Sequence, residues 1–211
     1  MKKENTNSVL IIANGEPPGD DLLNHLVAQS TYIIAADGGS NICHEKNIYP
    51  DFIIGDLDSI EEHVLKHFND SEVVHLADQE TNDLFKALSF VRSLQPEKVF
   101  IVSTFGRRLD HSLANLLLIQ QEFFDLSLEF YDAFGRLSLI SGESEIKAPV
   151  GQTVSLFSFL PVYGLSLHGF EYPVDNKDFP QGFNGLSNVI VHSPAKISVQ
   201  KGFLLCYIVN H

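Results

Sequence analysis

The sequence predicts an α/β protein with two domains: a three-layer domain built on a parallel sheet over residues 1–133, and a smaller antiparallel, sandwich-like all-β domain over residues 134–211. Two observations support this prediction. The first ~130 residues alternate short apolar runs with longer amphipathic runs, which is typical of repeated βα units. After Ala133 the helical periodicity disappears, and short runs are separated by Gly, Pro, Asn and Asp, which favours antiparallel strands joined by turns.

The first domain is expected to alternate strands with helices. The strand segments are aliphatic and nearly free of polar residues, so we expect them to be buried on both faces, as in a parallel sheet. The helix segments carry apolar residues at three- and four-residue spacing, which is typical of an amphipathic helix. The predicted strands are residues 9–13, 32–36, 52–54, 73–75, 99–102 and 128–131, and the predicted helices are residues 20–29, 40–46, 60–68, 83–93 and 111–123.

The second domain is expected to contain strands only. Its apolar runs are short and bounded by turn residues at regular intervals, which is typical of a sandwich or barrel. The predicted strands are residues 136–140, 153–159, 164–170, 188–192, 196–200 and 203–209.

Composition narrows the functional classes. The chain has 211 residues, of which 44% are apolar and 19% are charged, and its formal net charge is −13. A surface this acidic repels the nucleic-acid backbone and anionic lipid, so neither nucleic acid nor membrane is expected as a partner. A nucleotide substrate stays open, because a divalent metal inverts the local charge.

The expected location is the cytoplasm. Cys43 and Cys206 lie far apart in apolar surroundings, which indicates buried thiols in a reducing compartment. The apolar run of residues 9–13 is too short for the hydrophobic segment of a signal peptide. No run approaches the ~20 apolar residues that a membrane helix needs.

Four polar segments follow predicted strands, and each carries aspartate. Ligands of open parallel sheets bind beyond the carboxyl ends of the strands. The first segment contains Asp37, Gly38, Gly39, Ser40 and Asn41 at the start of a predicted helix. Its glycines let the backbone approach an anion, and free amides at a helix N-terminus attract that anion. The alternative is that Asp37 and Ser40 only cap the helix.

The second segment carries Asp56 and Asp58 directly after a glycine. Residues two apart in extended backbone point the same way, so both carboxylates are expected at one spot. Two negative charges this close together repel each other unless a cation lies between them, and carboxylate oxygens are ligands that suit Mg²⁺. The alternative is that Asp58 or Ser59 caps the next helix and that Asp56 is solvated.

The third segment, residues 78–83, leads into an amphipathic helix. Thr81 or Asn82 is expected to cap this helix, which places Asp83 in its first turn. There the Asp83 carboxylate either faces the ligand edge of the sheet or only complements the helix dipole.

In the fourth segment Arg108 follows a glycine turn, a position that suits phosphate binding. Asp110 and His111 open the next predicted helix, and Asn115 lies one turn further on, on the face of His111. His111 is either a ligand contact or a hydrogen-bonded core histidine. The common nucleotide motifs G-x-x-x-x-G-K-[ST] and G-x-G-x-x-G are absent, as are the protein-kinase signatures. The residues alone therefore predict a magnesium-dependent enzyme that acts on a phosphate compound.

Taken together and in this order, the segments resemble the thiamine pyrophosphokinase family. The family pattern runs D-G-G-x-N, then G-D-x-D-S, then a D-Q segment ending in T-D before a helix, then G-x-R-x-D-H-x-x-x-N, and finally G-x-S-N in a β domain. The resemblance extends over residues 37–188 and both predicted domains. The matching residues are Asp37-Gly38-Gly39 with Asn41, Gly55 to Ser59, Asp78-Gln79 with Asp83, Arg108 to His111 with Asn115, and Gly185 to Asn188.

The resemblance implies a homodimeric diphosphotransferase that moves the β,γ-diphosphate of ATP to the hydroxyethyl group of thiamine, giving AMP and thiamine diphosphate. It implies that Asp56, Asp58 and Asp83 bind Mg²⁺ and that Asp37 lies beside the metal and the phosphates. Either Asp37 or Asp83 is expected to accept the hydroxyl proton. The other implied contacts are Arg108, Asp110, Gly38, Gly39 and Asn41 toward the nucleotide, and Gln79, His111, Asn115, Ser187 and Asn188 toward the substrates.

Two departures from the family pattern leave alternatives. Asn82 stands where the family often has threonine, and both residues can cap a helix. The chain has no tryptophan, although many members stack one on thiamine, so Phe170, Tyr172 or Phe183 is expected to replace it. The competing functions are a pyrophosphokinase for another alcohol, such as a hydroxymethyl-pterin, and a non-catalytic ligand-binding protein.

Overall fold

The structure is a computed structural model that describes residues 7–76 and 81–210. These residues form two compact units. The first unit runs up to Leu118 and includes Asp125–Ala133, and the second comprises Ile119–Phe124 and the residues from Phe134 onward. Within the described stretches, no helix combines the length and apolarity needed to cross a membrane.

The first unit alternates parallel strands with helices, as predicted. Its sheet has the strand order β6-β5-β1-β2-β3-β4, and every pairing is parallel. The carboxyl ends of all these strands therefore lie at one edge, and the chain changes direction through the sheet at β1, where ligands of open sheets bind. The elements are β1 (Ser8–Ile12), α1 (Asp20–Gln29), β2 (Tyr32–Ala36), α2 (Gly39–Glu45), β3 (Phe52–Gly55), α3 (Glu62–His67), β4 (Glu72–His75), α4 (Asp83–Leu94), β5 (Lys98–Val102), α5 (Leu109–Glu122) and β6 (Leu128–Tyr131).

The central strands are buried because helices cover the sheet. All five residues of β1 are buried, and its Leu10 and Ile12 pack with Leu23 and Leu26 of α1. The expectation of burial on both faces is wrong for β4, where most residues are exposed. In the described part of the sheet β4 has one neighbour, β3, and an edge strand is covered less than a central one.

The second unit is antiparallel, which confirms the predicted fold class. Its longest strand, β12, pairs with β7 along its length, with β9 in its first half and with β8 in its second half. This arrangement joins two groups of strands around one apolar core, which includes Leu156, Leu165, Ile197 and Leu204. The strands are β7 (Gly135–Ile146), β8 (Thr153–Ser158), β9 (Val162–His168), β10 (Val174–Phe179), β11 (Phe183–Val189) and β12 (Ala195–Val209).

Three details of the second unit differ from the sequence-based expectation. The predicted strand 188–192 overlaps only the last two residues of β11, because β11 runs from Phe183 to Val189. The predicted strands 196–200 and 203–209 form the single strand β12, which contains a register shift between Val199 and Leu204. Gly202 supplies the positive φ of +102° that this irregularity needs. Strand β10 was not predicted, because its central residues are polar and exposed and give no apolar alternation.

Candidate active site

Three carboxylates meet at the carboxyl edge of the parallel sheet. Asp37 follows β2, while Asp56 and Asp58 follow the neighbouring strand β3. One oxygen from each carboxylate lies within 4.8 Å of the other two. Asp37 is 1% exposed, and its Oδ1 has no hydrogen-bond partner. A buried carboxylate oxygen without a donor fits a bound cation, because a cation would compensate its lost hydration.

The backbone around these carboxylates has unusual conformations. Asp37, Leu57 and Ser103 follow β2, β3 and β5, and their φ angles are +43°, +69° and +58°. Such angles are uncommon outside glycine and cluster at functional sites. A side chain on Gly55 would place its Cβ 2.7 Å from the Cβ of Asp37, so glycine is needed here for the carboxylate segments to approach.

Burial and neighbouring charges shift the pKa values of the acidic residues. Burial raises the pKa of Asp37, and the negative charge of Asp56 raises it further. The pKa of Asp83 is also raised, first by burial and then by the charge of Asp37. The pKa of Asp56 is lowered, because its carboxylate accepts a hydrogen bond from the Asp58 backbone N–H and faces the Lys86 ammonium. Carboxyl groups whose pKa values are shifted in opposite directions are typical of sites that transfer protons or bind metals.

A buried lysine lies among the acids. Lys86 is 4% exposed, and its Nζ lies 3.4 Å from Asp56 Oδ2 and 3.5 Å from Asp83 Oδ1. Asp83 therefore faces this ammonium, whereas Asp37 is the residue that joins Asp56 and Asp58 in the carboxylate cluster. This geometry differs from the predicted group of Asp56, Asp58 and Asp83. The sequence analysis also missed Lys86, whose only signal is its position three residues after Asp83 on the same helix.

The start of α4 is held by two asparagines. Asn82 is the N-cap, as anticipated, and its Oδ1 accepts the Phe85 backbone N–H at 2.8 Å. Its Nδ2 donates to Asn115 Oδ1 of α5 at 2.9 Å. Asn115 is 8% exposed, so this bond ties the N-terminal part of α4 to α5 inside the unit. Asp83 thus lies in the first turn of α4, where the sequence placed it.

A cavity of about 630 Å³ opens over this edge of the sheet. Basic groups face its acidic groups: Arg107, Arg108 and His111 lie at or near the start of α5. Ser103 and Thr104 follow β5 and are buried, and their hydroxyl oxygens have no hydrogen-bond partner. The described residues lining the cavity are Ala13, Asn14, Gly15, Ala36, Asp56, Asp58, Ser59, Thr81, Asn82, Asp83, Leu84, Ser103, Thr104, Arg107, Arg108, His111, Ser112 and Asn115.

The two arginines are held differently. Arg107 Nη1 donates to Asn14 Oδ1 at 2.8 Å, so it is tied to the end of β1. Arg108 forms a two-point ion pair with Asp110 through Nε and Nη2. The Arg108 guanidinium lowers the pKa of Asp110 to about 2, first by hydrogen bonding. Both members of this pair are exposed, so Arg108 is free to exchange Asp110 for a phosphate.

Several predicted ligand residues build the site without lining the cavity. Gly38 and Gly39 are not among the described cavity residues; an added Cβ would collide with the Asn14 side chain and with the Ile12 carbonyl, respectively. Asn41 holds the segment that carries Asp56 and Asp58, because its Nδ2 donates to the Ser59 carbonyl at 2.9 Å.

The remaining predictions at the carboxyl edge of the sheet concern helix capping and the third polar segment. The helix N-caps here are Gly38 and Glu61, so Asp37, Ser40, Asp58 and Ser59 do not cap α2 or α3 as the alternatives proposed. Asp78 and Gln79 lie outside the described residues.

Comparison with known proteins decides the family. Residues 23–129 match the family described as thiamin pyrophosphokinase, catalytic domain. Residues 143–204 match the family described as thiamin pyrophosphokinase, vitamin B1 binding domain. The chain belongs to the thiamin pyrophosphokinase family. Its members are diphosphotransferases, so the resemblance seen in the sequence is confirmed.

Individual thiamin pyrophosphokinases agree with this assignment. Thiamine pyrophosphokinase of Bacillus subtilis is 26% identical over 208 residues, which cover 94% of this chain and 96% of that protein. Thiamin pyrophosphokinase 1 of Caenorhabditis elegans is 26% identical over 186 residues, which cover 80% of this chain and 75% of that protein. The crystal structure of the B. subtilis protein superposes with a TM-score of 0.83, covering 96% of this chain and 99% of that one. Thiamin pyrophosphokinase from Candida albicans, 19% identical, shares the fold with a TM-score of 0.80 over 96% of this chain and 89% of that one.

The region that matches the vitamin B1 binding domain has a cavity of its own, of about 340 Å³. Of the three aromatic candidates, Tyr172 and Phe183 line it, while Phe170 is buried in the core. Asn188 is 3% exposed; its side chain accepts the Tyr172 backbone N–H at 3.0 Å and donates to the Tyr172 carbonyl at 2.9 Å. Ser187 is exposed and has a φ of +53°. Asn188 therefore acts on this cavity by holding the backbone of Tyr172.

Proposed function

We propose that the chain transfers the β,γ-diphosphate of ATP to thiamine and releases AMP. The observation that carries the proposal is the carboxylate cluster of Asp37, Asp56 and Asp58 opposite Arg107 and Arg108, at the ligand edge of a parallel sheet within the catalytic-domain match. This arrangement suits phosphoryl transfer, because the acidic residues can bind a cation and the basic residues opposite them can bind phosphate. The matched vitamin B1 binding domain favours thiamine over a hydroxymethyl-pterin.

The proposed metal is Mg²⁺, held by Asp37, Asp56 and Asp58, with Asp83 facing the same cavity. The fit rests on the donor set, which is all oxygen, and on the unpartnered buried Oδ1 of Asp37. When bound, Mg²⁺ supplies positive charge that offsets the charge of the phosphate oxygens.

The proposed reaction exchanges one bond for another at the β-phosphorus. The thiamine hydroxyl oxygen forms a bond to it, the bond to the oxygen shared with the α-phosphorus breaks, and AMP leaves with that oxygen. We assign the hydroxyl proton to Asp83 rather than Asp37, because Asp83 lines the cavity, whereas Asp37 is 1% exposed. The raised pKa of Asp83 suits a proton acceptor.

We propose that the nucleotide binds over the ends of β1 and β5. Arg107 and Arg108 provide positive charge there, and the unpartnered hydroxyls of Ser103 and Thr104 provide hydrogen-bond donors. Arg108 leaves Asp110 to bind phosphate, since an exposed ion pair has little net stability to lose.

The thiamine rings are proposed to bind in the smaller cavity, with Tyr172 as the aromatic contact. Tyr172 is 66% exposed, so its ring is available for stacking, and Asn188 fixes its backbone. Thiamine carries a cationic thiazolium, which an aromatic face binds favourably.

We further propose that the enzyme works as a homodimer in the cytoplasm. Leu109, Leu113 and Leu117 of α5 are exposed at four-residue spacing, so they form an apolar stripe along one helix face. Pairing with a second copy would remove this stripe from water. The free, buried Cys43 and Cys206 fit a reducing compartment.

The test is to incubate the purified protein with ATP, Mg²⁺ and thiamine and to separate the products by chromatography. We expect AMP and thiamine diphosphate in equal amounts, with no AMP when EDTA replaces Mg²⁺ or when a hydroxymethyl-pterin replaces thiamine. Stoichiometric ADP would indicate a simple kinase. Binding of thiamine without any product would favour a non-catalytic ligand-binding protein.

A further inference from the structure

Lys86 is buried among the carboxylates of the candidate site. Burying a charged side chain costs free energy unless the charge interacts with an opposite charge. Lys86 is 4% exposed, and its ammonium approaches carboxylates on two different elements: Asp56 after β3 and Asp83 on α4. Lysine is rarely buried so completely without a specific partner. At 3.4 and 3.5 Å, both contacts are longer than the ~2.7–2.9 Å typical of a charge-assisted hydrogen bond.

The ammonium and the proposed metal need the same carboxylate. Asp56 Oδ1 already accepts the Asp58 backbone N–H at 3.3 Å, and Asp56 Oδ2 faces Lys86. Asp56 is also a member of the carboxylate cluster with Asp37 and Asp58. A cation bound by this cluster would therefore lie close to the Lys86 ammonium and would repel it.

We propose that Lys86 is a resident counter-ion of the metal site, which weakens metal binding in the free protein and whose charge offsets phosphate charge when metal and nucleotide bind together. This proposal rests on the proposed function. In the free protein, the ammonium occupies the space between Asp56 and Asp83 and balances part of the acidic charge. A divalent cation must overcome its repulsion to bind alone. A nucleotide brings negative charge for both cations, so metal and nucleotide are expected to bind together.

The substitution Lys86→Met tests the proposal, because methionine keeps an unbranched apolar stem and removes the charge. We expect the nucleotide-free variant to bind Mn²⁺, used as a spectroscopic substitute for Mg²⁺, on the order of tenfold more tightly, since one positive charge no longer opposes a divalent ion nearby. We also expect its KM for ATP to rise at least tenfold, because a positive charge beside the metal site no longer offsets the charge of the phosphates.

The opposite signs of these two effects separate the proposal from a packing role. A side chain that only supports the site would weaken both metal and nucleotide binding when it is removed. Lys86→Arg keeps the charge and, once circular dichroism shows that it is folded, should keep Mn²⁺ affinity within about twofold of the parent protein. Lys46→Met is the matched control, because Lys46 follows the end of α2 that lies away from the site and pairs with Asp20 at 2.7 Å. It removes the same charge and should change neither quantity.

The measurements are Mn²⁺ titration by electron paramagnetic resonance without nucleotide, and initial rates with varied ATP. If Lys86→Met does not fold by circular dichroism, Lys86→Gln provides the same loss of charge with a polar end. Unchanged or weaker Mn²⁺ binding in the folded variant overturns the proposal. The Mn²⁺ titration needs no substrate, so it still tests Lys86 if the parent protein forms no thiamine diphosphate, a result that would overturn only the proposed function.

Discussion

Replacing Asp37 with asparagine is expected to make the metal-free protein more stable and the enzyme inactive. Asparagine has nearly the same shape as aspartate and also tolerates the left-handed backbone of this position, where φ is +43°. The substitution therefore removes a negative charge with little change in packing. Stability and activity should move in opposite directions, because the charge is useful only when a cation is bound.

The size of the effect follows from the surroundings of Asp37. Its Oδ1 is buried without a partner, and one carboxylate oxygen each from the like-charged Asp56 and Asp58 lies within 4.8 Å of the Asp37 carboxylate. A buried polar group without a partner costs ~1–3 kcal/mol, and the asparagine amide can donate to those carboxylates. We expect the free energy of unfolding at pH 7 to rise by ~1–2 kcal/mol, a shift in Tm of about 2–8 °C for a chain of this size.

The pH dependence provides a second signature of the same charge. Burial raises the pKa of Asp37 above its ordinary 3.8, so the folded protein keeps this proton at a pH where the unfolded chain has released it. Because the unfolded state then binds fewer protons, the stabilisation from this group is full below pH 3.8 and falls as pH rises through the raised pKa. The Tm advantage of Asp37→Asn should therefore grow with pH across that window and stay constant above it.

The assay is differential scanning calorimetry of both proteins, with EDTA and then with Mg²⁺. Added Mg²⁺ should raise the Tm of the parent protein and have little effect on the variant, because a ligand stabilises only the form that binds it. Asp70→Asn is the control: Asp70 is exposed, and its replacement changes the net charge equally, with an expected effect within ~0.5 kcal/mol. An Asp37→Asn protein that melts at or below the parent temperature in EDTA would refute the reasoning.

Two further predictions concern the ligands. Asparagine at Asp56, Asp58 or Asp83 should lower turnover by at least ~100-fold while the circular dichroism spectrum stays unchanged, because the first two changes weaken the metal site and the third removes the proton acceptor; near-parental rates in the Asp56 and Asp58 variants would remove the metal assignment. Alanine at Asn188 should raise the KM for thiamine and leave the KM for ATP unchanged, because the backbone of Tyr172 loses its support; equal changes in both KM values, measured by initial rates, would contradict the division of the two cavities.

The sequence was sufficient to predict the parallel unit and most of its acidic edge. Asp56 and Asp58 follow a buried strand and a glycine, so their common location depends only on strand geometry. The location of Asp37 depends in addition on tertiary structure, because Asp56, the cluster member nearest to it in sequence, is 19 residues away along the chain. Only the β2–β3 pairing brings Asp37 to Asp56, and a pattern of apolar residues does not define which strands are neighbours.

On the phosphate side of the cavity, Arg108 was predicted from the sequence, but the hydroxyl and amide groups were not. Ser103 and Thr104 follow β5, and Asn14 follows β1, and these two strands are adjacent only because the sheet order reverses at β1. Serine and threonine after a strand are common in ordinary loops, so their types carry no functional signal. Their significance depends on burial without a partner, which is a property of the folded chain.

Lys86 shows why charge balance at a site is harder to predict than the charges themselves. On a helix, a lysine three residues after an aspartate normally forms an exposed pair that contributes little stability. Here α4 packs its Leu84, Ala87 and Leu88 into the unit, and the same packing draws Lys86 to 4% exposure beside Asp56 and Asp83. The carboxylates alone indicate a site that attracts metal as strongly as possible. With a buried ammonium among them, the site is better suited to a metal that arrives with a polyphosphate, because only that pair supplies charge of both signs.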